Sequence, residues 1–197
     1  MKKQLVLFVF LLSTVMIHSQ KIKVKEGNIE NLKGVDEYNV VFDYSNVKIP
    51  GYDSEELFLK DKMAKREEKL IGDGERFKKS WFDDRNNLYE PYFIKYFNEY
   101  FIMKRKIKVS KNNLDATYTI LIKSEMIYPG YNVVVGWEGA KLHAIISVYE
   151  TDSPENVLFT SKSFNIQGKP SYNAGVRIAN TYGILGRTLA GYLRKKT

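Results

Sequence analysis

The chain has 197 residues, with 31 Lys plus Arg against 23 Asp plus Glu, a formal charge of +8, 44% hydrophobic residues and no cysteine. That apolar fraction suffices for one domain with a buried core. The missing cysteines exclude thiol nucleophiles, disulfides, thiolate metal sites and a lipid-modified cysteine, and a histidine count of 2, His18 and His143, removes the usual residues of most metal and triad chemistry.

Residues 1–20 read as a secretory leader. Lys2 and Lys3 form the charged start, residues 5–12 are an unbroken apolar run, and Ser19 supplies the small residue for cleavage. The run is too short and too interrupted by Ser13 and Thr14 for a spanning helix, and no later stretch is apolar enough to span. Removal of residues 1–19 leaves 29 basic and 23 acidic residues, a net +6. Export argues against a nucleic-acid partner, so the basicity reads as solubility or attraction to anionic envelope surfaces. The expected location is periplasmic or extracellular, without a lipid anchor.

Residues 20–36 are polar and Gly/Asn-punctuated, an arm with a short edge strand at 21–24, and residues 37–197 are expected to form a single domain. Residues 37–45 predict the first firm strand, with Val40, Phe42 and Tyr44 on one face and Val41 on the other. Asp53 followed by Glu56 predicts a capping box and a helix to about Leu70, stopped at Gly72–Gly74. Its charged run at 60–69 reads as a solvated face, with Asp61 and Lys65 at supportive spacing. Helical pieces are expected at 75–84 and 91–103, the latter with Pro91 in its first turn. Residues 77–101 hold ten aromatics. Such a concentration suits a carbohydrate or lipid platform, but the helical spacing of Phe93, Phe97 and Phe101 reads as core.

Short strands follow at 106–110 and 116–126, a turn at 128–131, and a further extension at 133–135. Residues 141–150 and 157–166 predict an antiparallel hairpin. From 172 to 194 the pattern is helical, with Ile178, Tyr182, Leu185 and Leu189 in one apolar stripe. Gly175, Ala179 and Gly183 form a second stripe that admits close approach of the sheet or of a partner helix, leaving homo-oligomer formation open. The fold class is therefore α+β (or α/β), with a mixed sheet of about five strands, an inserted helical segment and a closing C-terminal helix.

His143 reads as an ordinary half-buried histidine, and no metal or cofactor site is expected. Asp73, Glu75, Asp83, Asp84 and Glu90 lie near aromatics, as a glycosidase requires, yet they also read as caps and ion pairs. Lys104, Arg105, Lys106, Lys108 and Lys111 suit either an anionic ligand or the protection of an edge strand. The expected binding surface is Trp81, Asp84 and Arg85 with Tyr131 and Trp137. Trp and Arg combine large apolar area with directional polar groups, as at interaction hot spots.

Asn31 to Gly34 ahead of NVVFDYS (39–45), SWFDDR (80–85) leading to Tyr89, Glu90 and Pro91, and GVRIA (175–179) together resemble a family of small exported proteins of Gram-negative bacteria. The resemblance implies export and an envelope setting, and it brings no catalytic residues with it. At fold level, the element order is similar to the amino-terminal domain of TolB and related envelope lipoprotein domains, from which the chain departs in lacking the lipid-acceptor cysteine. The expected function is a non-catalytic envelope module binding an envelope protein or glycan. The enzymatic alternative is a hydrolase acting on glycan or peptidoglycan.

Overall fold

A computed structural model describes residues 22–101, 107–161 and 164–196. The expected leader with His18 and the cations Lys104, Arg105 and Lys106 lie outside the described residues. The strands are β1 (Val24–Gly27), β2 (Glu37–Asp43), β3 (Lys108–Ser110), β4 (Tyr118–Tyr128), β5 (Tyr131–Val133), β6 (Gly136–Glu138), β7 (Lys141–Glu150), β8 (Ser153–Ser161) and β9 (Phe164–Gln167). The helices are α1 (Glu55–Glu67), α2 (Asp73–Asp84), α3 (Glu90–Glu99) and α4 (Ala174–Lys196).

Seven strands form one mixed sheet in the order β1-β8-β7-β4-β2-β3, with β9 also on β7. β2 runs parallel to β3 and β4, and the other pairs are antiparallel. The fold is α+β with the expected closing helix. Its sheet exceeds the expected five strands because the returning strand is divided into β8 and β9, which follow each other along β7, and because β1 adds an edge.

Alternation sets the faces. Tyr38 and Val40, Ile120 and Ile122, and Leu142 to Val148 in steps of two are all buried. They face α3 and α4, whereas Val41, Leu121, Ile145 and Tyr149 lie on a face that no helix among the described residues covers. His143 sits half-buried on that open face.

The loop from β3 to β4 passes over β2, and buried Asn39 serves the crossing. Its amide oxygen accepts from the Asn113 N–H at 3.2 Å and its amide nitrogen donates to Thr119 Oγ1 at 3.2 Å. Asn98 of α3 forms a two-way pair with the backbone of Val109 in edge strand β3 (2.9 and 3.0 Å). It occupies hydrogen-bonding groups that an edge strand otherwise offers to other chains.

Local signals place the helices with two corrections. The cap of α1 is Ser54, not Asp53: its hydroxyl accepts from the Leu57 N–H at 3.1 Å. The expected pieces at 75–84 and 91–103 are instead one continuous helical run, 73–99, joined by a π-helical turn (Arg85–Tyr89). Pro91 explains it. A proline inside a helix lacks the N–H and clashes with the carbonyl four residues earlier, and widening the preceding turn relieves both.

The second stripe of α4 meets this long helix, not the sheet. A Cβ on Gly183 would fall 2.6 Å from the Tyr96 ring, and one on Gly186 would fall 2.4 Å from the Phe93 carbonyl oxygen. A ring can turn aside but a backbone carbonyl cannot. Gly186→Ala should therefore push α3 and α4 apart at a cost of about 1 to 3 kcal/mol, read as a lower denaturant midpoint, while Gly183→Ala costs less. Equal effects at the two positions would contradict the packing.

Candidate functional site

The long helix and the amino terminus of α4 enclose a groove of about 720 Å3. One face of α2 supplies its wall, because Asp73, Phe77, Trp81 and Asp84 recur at helical spacing. The π turn adds Tyr89, α4 adds Gly175, Arg177 and Ile178, and the β5–β6 hairpin adds Asn132.

Trp81 is 5% exposed. Its ring packs on Phe58 at 4.8 Å and its Nε1 donates to Glu55 Oε1 at 2.7 Å. Arg85 donates to the same carboxylate oxygen and lies over the rings of Tyr44 and Phe82, so it stands behind the wall and does not line the groove.

The two groove carboxyls differ. Hydrogen bonds from Arg66 and Arg76 hold Asp73 below the usual carboxylate range, whereas burial, with the charge of Asp83 beside it, pushes Asp84 up. A Cβ on Gly175 would fall 2.1 Å from Asp84 Oδ2, so only glycine admits that carboxylate at the first turn of α4. The remaining candidate acids follow the cap and ion-pair reading. Asp83 pairs with Lys79, buried Glu90 pairs with Lys111, and Glu75 is an exposed first-turn residue of α2.

Tyr89 is 1% exposed and stacks on Tyr182 with ring centres 5.3 Å apart. Its hydroxyl has no hydrogen-bond partner among the described residues. Buried polar groups are nearly always satisfied, so this one in a groove wall calls for an account.

The hairpin stands at the groove's rim. Asn132 and Trp137 are cross-strand partners and share a face, while Tyr131 and Val133 share the other. Trp137 is 64% exposed. Of the five expected binding residues, the structure thus brings Trp81 and Asp84 into the groove, carries Trp137 on the hairpin face that Asn132 shares, turns Tyr131 to the reverse face and places Arg85 behind the wall. Residues 133–135, expected as an extension of the sheet or of its loop, belong to a separate two-stranded hairpin of β5 and β6.

Arg177, quoted only within GVRIA, received no role in the sequence reading. Buried at the root of the hairpin, it donates from Nε to the Pro129 carbonyl (2.9 Å), from Nη1 to those of Ser171 (2.7 Å) and Tyr172 (2.9 Å), and from Nη2 to that of Gly130 (3.3 Å). Desolvation lowers its pKa. The available signal was an arginine set among Gly175, Ile178 and Ala179 in the small and apolar part of a helix. Opposite it, Tyr128 donates to Glu138 at 2.7 Å, a bond that pushes its pKa up to about 12, and Glu138 pairs with Lys141 at 2.6 Å.

Among the described residues no group of three or more His, Asp or Glu side chains could hold a metal ion, and no helix is long and apolar enough to cross a membrane. Comparison with protein-family models, curated proteins and solved structures finds no match to this chain.

Proposed function

We propose that the protein is an exported, non-catalytic binding module of the Gram-negative cell envelope, and that an envelope protein or glycan occupies the groove. Export rests on the leader at residues 1–19 and the family resemblance. The groove rests on one observation above all: Tyr89, a residue of its wall, has a buried hydroxyl with no hydrogen-bond partner among the described residues. A group that costs free energy in the unbound protein is accounted for when a ligand supplies its partner.

The carboxylate spacing supports binding over hydrolysis. Asp73 and Asp84 stand at the two ends of α2, so their Cα atoms are separated by about 16 Å along the axis. Two-carboxylate glycoside hydrolysis needs about 5 to 9.5 Å between carboxyl groups.

Two variants test the reading by affinity capture from envelope extract, with bound proteins and glycans identified by mass spectrometry. Tyr89→Phe removes only the hydroxyl and should leave the thermal midpoint unchanged or slightly raised while weakening capture. Ser80→Trp fills the groove from an exposed position on α2 and should abolish capture without unfolding. Retention of the same partners by both variants would reject the groove.

A further inference from the structure

The β5–β6 hairpin breaks the rules of both turn chemistry and surface composition. Its two-residue turn is Val134–Val135, where a tight hairpin ordinarily takes Asn-Gly or another pair that tolerates positive φ. Among the described non-glycine residues only Asn112 has positive φ, so the valines do not adopt that geometry. These β-branched side chains are the most exposed large hydrophobics among the described residues: Val135 is 96% exposed and Val134 fully so. Val133 and Trp137 are also exposed, and they lie on opposite faces of the hairpin. No charged residue occurs from Tyr131 to Trp137.

From this arrangement we infer that the hairpin is a lipid-insertion tip, which seats Val133, Val134 and Val135 among the acyl chains of a bilayer surface. A protein groove would cover one face of a two-stranded ribbon, whereas the apolar surface here is on both faces and at the tip, and a bilayer surrounds all three. Three-residue strands reach about 10 Å, the depth at which interfacial segments lie. Trp137 sits one residue pair above the Val133–Gly136 pair and Tyr131 one pair higher, the level at which aromatic side chains favour the headgroup boundary. The root is firm, with Glu138 balanced by Lys141. Gly130 and Gly139 allow backbone contacts that a Cβ would block, Arg177 ties the root to the loop before α4, and exposed Lys169 follows Gly168, whose carbonyl packs on Gly139. With a net charge of +6 once residues 1–19 are removed and with exposed Lys169 at the root, anionic headgroups complement this end.

The inference is independent of the groove reading. Its test uses the chain from Gln20 onward, which carries every described residue and lacks the leader that would itself bind lipid. The probe is Trp137 emission, since Trp81 is buried, recorded with phosphatidylcholine vesicles with and without phosphatidylglycerol, and with brominated acyl chains. Vesicles should shift the emission to the blue and brominated chains should quench it, more strongly with phosphatidylglycerol present. Val134→Asp combined with Val135→Asp should reduce vesicle binding by about tenfold or more at an unchanged thermal midpoint. The inference is overturned by absence of binding to either vesicle, by equal binding of the double variant, or by self-association through the hairpin without vesicle binding.

Discussion

Replacing Arg177 with methionine should destabilise the protein by about 3 to 5 kcal/mol and lower its thermal midpoint by about 6 to 20 °C. The guanidinium joins the carbonyls of Pro129 and Gly130 on one side to those of Ser171 and Tyr172 on the other. Methionine fills the space but donates nothing, and four carbonyls then share whatever water can enter. Lysine has three donors on a flexible stem and cannot reproduce the fork, so Arg177→Lys should recover only part of the loss. The local readout is amide hydrogen exchange: residues 131–138 should lose protection in Arg177→Met while β4 and β7 keep theirs. Unchanged protection would mean that the hairpin stands without the clamp.

Trp81→Ala should cost a similar amount, about 3 to 5 kcal/mol. The ring fills the contact between α1 and α2 against Phe58 and Phe77, and its Nε1 shares Glu55 with Arg85. Removal opens a cavity and withdraws one donor from a carboxylate that is 20% exposed. Trp137→Ala, on the exposed hairpin, should stay within about 0.5 kcal/mol of the parent. Chemical denaturation of both variants checks the pair. Comparable losses would contradict the separation of one tryptophan into the wall and the other onto the surface.

Much of the fold was legible because the relevant residues repeat a single period. Val40 against Val41, Leu142 to Val148 in twos, and Ile178 to Leu189 in threes and fours each identify one element and its buried face. The π turn was not legible, because Asn86 and Asn87 read as a break between two helices and the cause of the turn is Pro91 downstream. Nor could periodicity show that Asn39 lies beneath a loop from 74 residues away, since one buried amide in an apolar strand satisfies a crossing that only the assembled sheet creates. At the site, Trp81, Asp84 and Trp137 were visible by residue type. Arg177 and Tyr89 were hidden, the first because its partners are backbone carbonyls and the second because a tyrosine in an aromatic helix reads as core.

On the proposed reading the working surface is the groove and hairpin end and not the sheet face that no described helix covers. Photo-crosslinking in envelope extract compares the two directly, with a photoreactive residue at Asn132 in one protein and at Val41 in the other. Asn132 lies at the groove's edge and Val41 is exposed on the open face. Crosslinks to a defined partner from position 132 and none from position 41 are the predicted result. Crosslinks from position 41 alone would contradict the account and assign recognition to the open sheet.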